Sequence, residues 1–168
     1  MRLRTILAWA TTLVWAAFIF ELSTATFSSS FTAWLLGQLL RLMHLEVTPA
    51  VFATLHHLIR KLAHLTEYMI FSLLLYHCFE GTRPHEWRTR LAFWAILAAA
   101  LYSLTDEYHQ SLVRERTASL IDCGIDTAGA ALGMLVLYGH ERVFHAKNNR
   151  TPASSESMAE MKKGAAGL

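Results

Sequence analysis

The chain has 168 residues, the size of a single domain. Its composition is 54% hydrophobic and 17% charged, against about 25% charged residues in a typical soluble domain. Together with its long apolar runs, this composition favours an integral membrane protein over a soluble one. The net charge of +2 is small and the basic residues are scattered along the chain, so no nucleic-acid partner is expected.

The first predicted element is an apolar helix over about residues 5–22. Arg2 and Arg4 precede it and small residues follow from Ser23, an arrangement that also fits a cleaved signal peptide. However, the run stays bulky to its end, and Glu21 stands before the small residues. These features favour a retained membrane helix.

An amphipathic helix is predicted over about residues 30–45. Its apolar residues recur at helical spacing, whereas Gln38 and Arg41 lie on the other side. Such a segment is too polar to span a bilayer and suits a helix that lies in the membrane interface. The alternative is a short re-entrant or core-packing helix.

Three further helices are predicted over about residues 49–80, 87–106 and 118–141. The first of them begins at a clear signal, with Thr48 as N-cap and Pro49 at the first helical position. We therefore expect an all-α protein: an integral membrane four-helix bundle with an additional amphipathic interfacial helix.

The predicted transmembrane domain covers residues 1–146. Residues 147–168 lack hydrophobic periodicity and are expected to form a disordered cytoplasmic tail. Cytoplasmic loops of membrane proteins are rich in Lys and Arg, and ten of the 15 such residues fall on the side of the termini. Both termini are therefore predicted to be cytoplasmic. The remaining five basic residues would lie on the outer side: Arg41, Arg60, Lys61, Arg114 and Arg116.

Ionisable residues are concentrated where three of the predicted helices reach the outer face. Such groups are costly at membrane depth and usually pair with one another or line a site. The segments hold the candidate ligand-binding residues Arg60, Lys61, His64 and Glu67, then Glu107, Gln110, Arg114 and Arg116, then Asp122 and Asp126; Asp106 and His109 accompany the second group.

The last segment has a regular spacing. Asp122, Asp126, Gly129 and Gly133 follow an i, i+4, i+7, i+11 pattern and so share one face of a helix. Small residues at this spacing let membrane helices approach closely. We therefore expect the two carboxylates to enter the interior of the bundle, with Asp126 facing Lys61 or His64.

Several chemistries fit these residues. A metal site is disfavoured because the spacing of His64 and Glu67 does not match a zinc helix, and no cofactor is indicated. Acid–base catalysis is an alternative, with Glu67, His64, His109 and Asp126 as the catalytic candidates. A network of ion pairs that only holds the helices together is the structural alternative.

The order of the polar motifs resembles the VanZ family over about residues 55–137. The matching motifs are Arg60-Lys61-x2-His64-x2-Glu67-Tyr68, then Asp106-Glu107-x-His109-Gln110, then Arg116 with Asp122, Asp126 and Gly129. This resemblance implies a small membrane protein of the bacterial cell envelope, located in the cytoplasmic membrane. The family is named for a component of glycopeptide-resistance clusters, where the association is with teicoplanin, and the resemblance implies no particular reaction.

The leading hypothesis is an outward-facing polar pocket that binds an anionic lipid, a lipid-linked cell-wall precursor or a lipoglycopeptide. A membrane-embedded transferase or hydrolase acting on envelope lipids is the first alternative. A structural subunit of a membrane complex is the second, since other membrane proteins are also plausible partners.

Overall fold

The structure, a computed structural model, describes residues 2–24, 29–81, 87–112 and 119–148. Every regular element in these ranges is an α-helix, which confirms the predicted all-α class. The helices are α1 (Arg2–Leu22), α2 (Ser29–Leu42), α3 (Pro49–Glu80), α4 (Thr89–Ser111) and α5 (Leu120–Asn148).

Local sequence signals explain where α3 begins and ends. The Thr48 hydroxyl accepts a hydrogen bond from the backbone N–H of Val51 at 3.4 Å, and Pro49 occupies the first helical turn. At the other end, Gly81 has a φ of 67° and donates its N–H to the His77 carbonyl at 3.2 Å. Glycine adopts this backbone conformation without steric cost. The helix therefore covers the range that its sequence predicts.

The end of α2 differs from the prediction, because the helix stops at Leu42 and not near residue 45. His44 adopts a φ of 56°, in the left-handed region. The N–H of Leu45 then bonds back to the Leu40 carbonyl at 2.9 Å, which is the wrapping bond of a Schellman motif. No glycine marks this turn, so its sequence carries no clear stop signal.

Two other helices run beyond their predicted ends. α4 continues to Ser111 rather than residue 106, and Gln110 bonds to Asp106 one turn earlier on the same face. α5 continues to Asn148 rather than residue 141. Residues 141–148 contain neither glycine nor proline, so nothing in that stretch breaks a helix.

α3 is the helix around which the first compact unit is arranged. It packs against α1, α2 and α4, and α5 approaches it through two glycines. A Cβ atom on Gly129 would overlap the backbone of Leu65, and one on Gly133 would lie 2.6 Å from the Ser72 hydroxyl. The small-residue face of α5 thus carries Asp122 and Asp126 close to α3, as its spacing predicts.

Among the residues that the structure describes, two helices are long and apolar enough to cross a membrane, over Leu3–Leu22 and Leu120–Val143. These ranges correspond to two of the four predicted spans. Within the described residues, apolar side chains of α1 and α4 are also widely exposed; Val14 is 70% and Phe93 59% accessible. A broad exposed apolar surface of this kind is typical of contact with lipid or another protein.

The chain divides into two compact units after Met134. In the second unit the structure describes residues 135–148, which form the C-terminal part of α5. There the guanidinium carbon of Arg142 lies 5.1 Å from the Tyr138 ring centroid, in cation–π geometry. Most of the predicted tail, from residue 149 onward, lies outside the described residues.

Candidate functional site

Asp126 is the centre of a hydrogen-bonded group that joins three helices. Its carboxylate has no exposed surface. Oδ1 lies 3.2 Å from Nδ1 of His64 on α3, and Oδ2 accepts a hydrogen bond of 2.6 Å from the Ser103 hydroxyl on α4. When the carboxylate is the acceptor in this contact, the proton of the His64 ring is on Nδ1.

An ion pair one turn away also links α3 to α5. Lys61 Nζ lies 2.7 Å from Oδ1 of Asp122, and the two side chains are 29% and 23% exposed. The charge of this lysine is therefore already compensated within the protein.

The end of α4 carries two buried carboxylates. Asp106 Oδ2 accepts a hydrogen bond from Gln110 Nε2 at 3.0 Å, and Glu107 Oε2 accepts one from the backbone N–H of Ser119 at 2.6 Å. The other oxygen of each, Asp106 Oδ1 and Glu107 Oε1, has no hydrogen-bond partner among the described residues. Buried acceptors in this state are rare in folded proteins.

The end of α1 contacts α4 through His109. The His109 ring stacks on Phe20 with a centroid distance of 4.3 Å. Its Nδ1 lies 2.9 Å from the Ser23 hydroxyl, which in turn donates to the Phe20 carbonyl at 2.8 Å. His109 therefore connects the end of α1 to α4. It is not part of the pair formed by His64 and Asp126.

A cavity of about 150 Å³ opens beside these groups. One part of its wall is apolar and comes mainly from α1, and the rest is polar. The lining residues are Ile19, Leu22, Ser23, Thr32, Arg60, Ala63, His64, Glu67, Asp106 and Gln110.

α2 contributes Thr32 to the cavity and is held to α3 at this point. The Thr32 hydroxyl lies 2.8 Å from Nε2 of His56. Partial burial lowers the pKa of His56, and the nearby charges of Arg60 and His57 lower it further. A neutral imidazole is thus favoured at the junction between α2 and α3, ahead of the apolar run of α3.

A sequence model of the VanZ/LLP1 family matches residues 7–144. The chain belongs to the VanZ/LLP1 family. No curated protein and no solved structure matches it. Family membership and the two apolar helices indicate a membrane protein.

In this VanZ/LLP1 protein, four of the predicted ligand-binding residues line the cavity: Arg60, His64, Glu67 and Gln110. Four others lie in the pairs described above, namely Lys61, Glu107, Asp122 and Asp126. Arg114 and Arg116 lie outside the described residues.

Two polar groups beside the cavity of this VanZ/LLP1 protein are not among the predicted site residues. Ser103 and Ser23 were not predicted as site residues, yet one bonds to Asp126 and the other lines the cavity. Ser103 precedes Asp106 by three residues and Gln110 by seven, which places all three on one helical face. That spacing was the available signal for Ser103, and the signal for Ser23 was its place in the serine-bearing segment that follows the first helix.

The arrangement supports two kinds of chemistry. Arg60 is suited to bidentate contact with a phosphate or carboxylate in the cavity. His64, oriented by Asp126, is suited to proton transfer through its other ring nitrogen, Nε2. Among the described residues, no three His, Cys, Asp or Glu side chains are grouped so as to hold a metal ion.

Proposed function

We propose that this protein is a multi-pass protein of the bacterial cytoplasmic membrane, and that its cavity binds the headgroup of an anionic amphiphile on the outer face. The observation that carries the proposal is the two-sided wall of the cavity. Ile19 and Leu22 on α1 supply apolar surface, and Arg60 supplies a cation beside polar groups of α3 and α4. Ligands with an apolar and a charged part fit such a wall.

Arg60 is the residue to which we assign the anion. The charge of the neighbouring Lys61 is compensated by Asp122 at 2.7 Å, so Lys61 attracts an anionic ligand less strongly. The planar fork of a guanidinium also matches two oxygens of a phosphate or carboxylate better than an ammonium does. A phospholipid, a lipid-linked cell-wall precursor and a lipoglycopeptide all carry such a group. Reduced sensitivity to glycopeptides would follow where the antibiotic itself, or its target, is the ligand.

Lipid retention on the purified protein tests this proposal. Binding of phosphatidylglycerol is measured by native mass spectrometry and by titration in nanodiscs, for wild type, Arg60→Gln and Arg60→Lys. Since hydrogen bonds to charged groups contribute about 1.5–3 kcal/mol, Arg60→Gln is expected to weaken binding about tenfold or more. Arg41→Gln, a matched change on α2, is the control. Equal binding by wild type and Arg60→Gln would contradict the proposal.

The pair formed by His64 and Asp126 favours a second candidate, a membrane-embedded transferase or hydrolase acting on envelope lipids. With its proton on Nδ1, the imidazole accepts a proton at Nε2 from a water or an acceptor hydroxyl, whose oxygen then attacks an ester group of the lipid. The ester bond breaks, and the leaving alcohol takes the proton back from Nε2. A positioned general base of this kind typically contributes about 10²–10⁴-fold in rate. Product release from radiolabelled membrane lipids in proteoliposomes tests it. We expect wild type to turn over the lipids and His64→Gln to lose turnover while it still binds them. If wild type shows no turnover, these lipids are not its substrates.

A further inference from the structure

The hydroxyl of Ser23, the residue that directly follows α1, has an imidazole within hydrogen-bonding distance. Its oxygen lies 2.9 Å from Nδ1 of His109 on α4. A hydroxyl and a histidine base within about 2.6–3.2 Å of each other form the usual pair in which a serine is activated as a nucleophile. The proposed anion site uses neither residue, yet Ser23 lines the same cavity as Arg60.

Both members of this pair are held in place by the protein. The backbone N–H of Ser23 donates to the Ile19 carbonyl at 3.1 Å, and the His109 ring stacks on Phe20 with a centroid distance of 4.3 Å. Ser23 is only 2% exposed, so a substrate reaches it through the cavity that it lines. Groups that are oriented before the substrate arrives favour catalysis.

The proton of the Ser23 hydroxyl has several acceptors around it. The Phe20 carbonyl lies 2.8 Å from the hydroxyl oxygen, and the Asp106 carboxylate is a further neighbour. Rotation about the Cβ–Oγ bond redirects the proton from one acceptor to another without moving a heavy atom. When the ring proton of His109 is on Nε2, its Nδ1 is an acceptor for the Ser23 proton.

Ser111 shows what the contact with His109 adds. Its hydroxyl donates to the Tyr108 carbonyl, three residues earlier, at 2.6 Å. Ser23 makes the same local bond to Phe20, and hydroxyls in and beside helices commonly bond to nearby backbone carbonyls in this way. The carbonyl bond is therefore an ordinary feature of both serines, whereas the imidazole distinguishes Ser23.

We propose that Ser23 is the nucleophile of an acyl transfer, that His109 is its general base, and that the substrate is an ester-linked anionic lipid. Ile19 and Leu22 give the cavity an apolar wall just before Ser23 in the chain, and Arg60 lines the same cavity. A lipid with its acyl chain on that wall and its phosphate at Arg60 can present the ester between them to the hydroxyl. This inference goes beyond the proposed function and rests on it, because the cavity must first bind the lipid.

The reaction balances with the lipid and water as the only reactants. His109 Nδ1 takes the proton from Ser23 Oγ as this oxygen attacks the carbonyl carbon of the ester. The bond from that carbon to the lipid alcohol breaks, and the alcohol leaves with the proton from Nδ1. Water then loses a proton to His109 and attacks the acyl carbon, and Ser23 Oγ leaves and regains that proton. The products are a lysolipid and a fatty acid.

A fluorophosphonate probe tests the nucleophile on wild-type protein, without any substitution. The probe forms an oxygen–phosphorus bond with an activated serine and loses fluoride, and peptide mass spectrometry locates the adduct. We expect the adduct on Ser23, whereas Ser111 is the internal control and should stay unlabelled. His109→Gln should slow the labelling about 10²–10⁴-fold, the usual contribution of a positioned base. Thermal unfolding in detergent shows that this variant is folded.

Phosphatidylglycerol with radiolabelled oleoyl chains then tests the substrate class. Wild type should release labelled oleate and lysophosphatidylglycerol. Ser23→Ala should release neither, while it still binds intact phosphatidylglycerol in nanodiscs. Ser111→Ala, the matched loss of a hydroxyl, should keep the rate of wild type.

The possible outcomes separate this inference from the proposed function. If phosphatidylglycerol binds but Ser23 takes no probe, or if Ser23→Ala releases oleate at the rate of wild type, the nucleophile is overturned and the anion site stands. If phosphatidylglycerol does not bind above the background of empty nanodiscs, the proposed function fails and the lipid substrate fails with it. Labelling of Ser23 that depends on His109 would still support the pair in that case.

Discussion

His64 Nδ1 lies 3.2 Å from Oδ1 of Asp126, and this contact joins α3 to α5 across 62 residues of sequence. Helical spacing alone left Asp126 with two expected partners, Lys61 and His64. The structure pairs Lys61 with Asp122 instead, at 2.7 Å, which leaves His64 for the fully buried carboxylate. Two parallel pairs, one turn apart, therefore connect the two helices.

The first prediction concerns the energy of this contact. Asp126→Asn should lower the free energy of unfolding by about 3–5 kcal/mol, because it removes one partner of a buried pair. His64→Gln and the double variant complete a double-mutant cycle in detergent. The expected coupling is about 0.5–3 kcal/mol. If the stability losses of the two single variants sum to that of the double variant within about 0.5 kcal/mol, the two side chains do not interact.

The second prediction concerns the approach of α5 to α3. Gly129→Ala should destabilise the protein by about 1–3 kcal/mol, because the new Cβ atom overlaps the backbone of Leu65. Gly124→Ala is the matched control on the same helix, since a Cβ atom there meets nothing within 4 Å. It should be neutral, or stabilising by up to about 1 kcal/mol through helix propensity. Unfolding of both variants in detergent measures the difference, and equal stability would argue against close packing at Gly129.

The third prediction concerns Tyr68, a fully buried side chain whose hydroxyl lies beside Ser103 but forms no hydrogen bond of normal geometry with the described residues. Tyr68→Phe should leave the stability unchanged or raise it, because a buried unpaired polar group costs about 1–3 kcal/mol. Ser103→Ala, nearby, should instead destabilise, since it removes the donor to Asp126. Thermal unfolding in detergent compares the two. A clear loss of stability in Tyr68→Phe would mean that the hydroxyl has a partner after all.

The fourth prediction concerns orientation in the membrane. If both termini are cytoplasmic, Leu112→Cys should react with an impermeant maleimide in intact cells, and Glu86→Cys only after permeabilisation. Leu112 is 68% exposed, so a thiol there is accessible. Both native cysteines, Cys78 and Cys123, are free and are replaced by alanine in the background. The opposite labelling pattern would mean that the orientation is reversed.

The sequence by itself determined the helical class and the positions of most helices. Apolar periodicity and local signals such as Thr48-Pro49 depend only on neighbours in the chain, and the bounds of α3 follow from them. The glycine spacing on α5 likewise indicated a close approach to another helix, because side-chain size and helical period suffice for that inference. Where no local signal existed, as at His44, the prediction missed the end of the helix.

Only the tertiary structure decided which polar groups meet. Helical spacing defines a face but leaves open the depth and rotation of one helix against another, and these decide whether Lys61 or His64 contacts Asp126. The same holds for the cavity, whose wall combines Ser23, Thr32, Arg60 and Asp106 from four different helices or helix ends. Hydrogen bonds and ion pairs act over a few ångströms, so small differences in packing select the partners, and residue types and spacing do not.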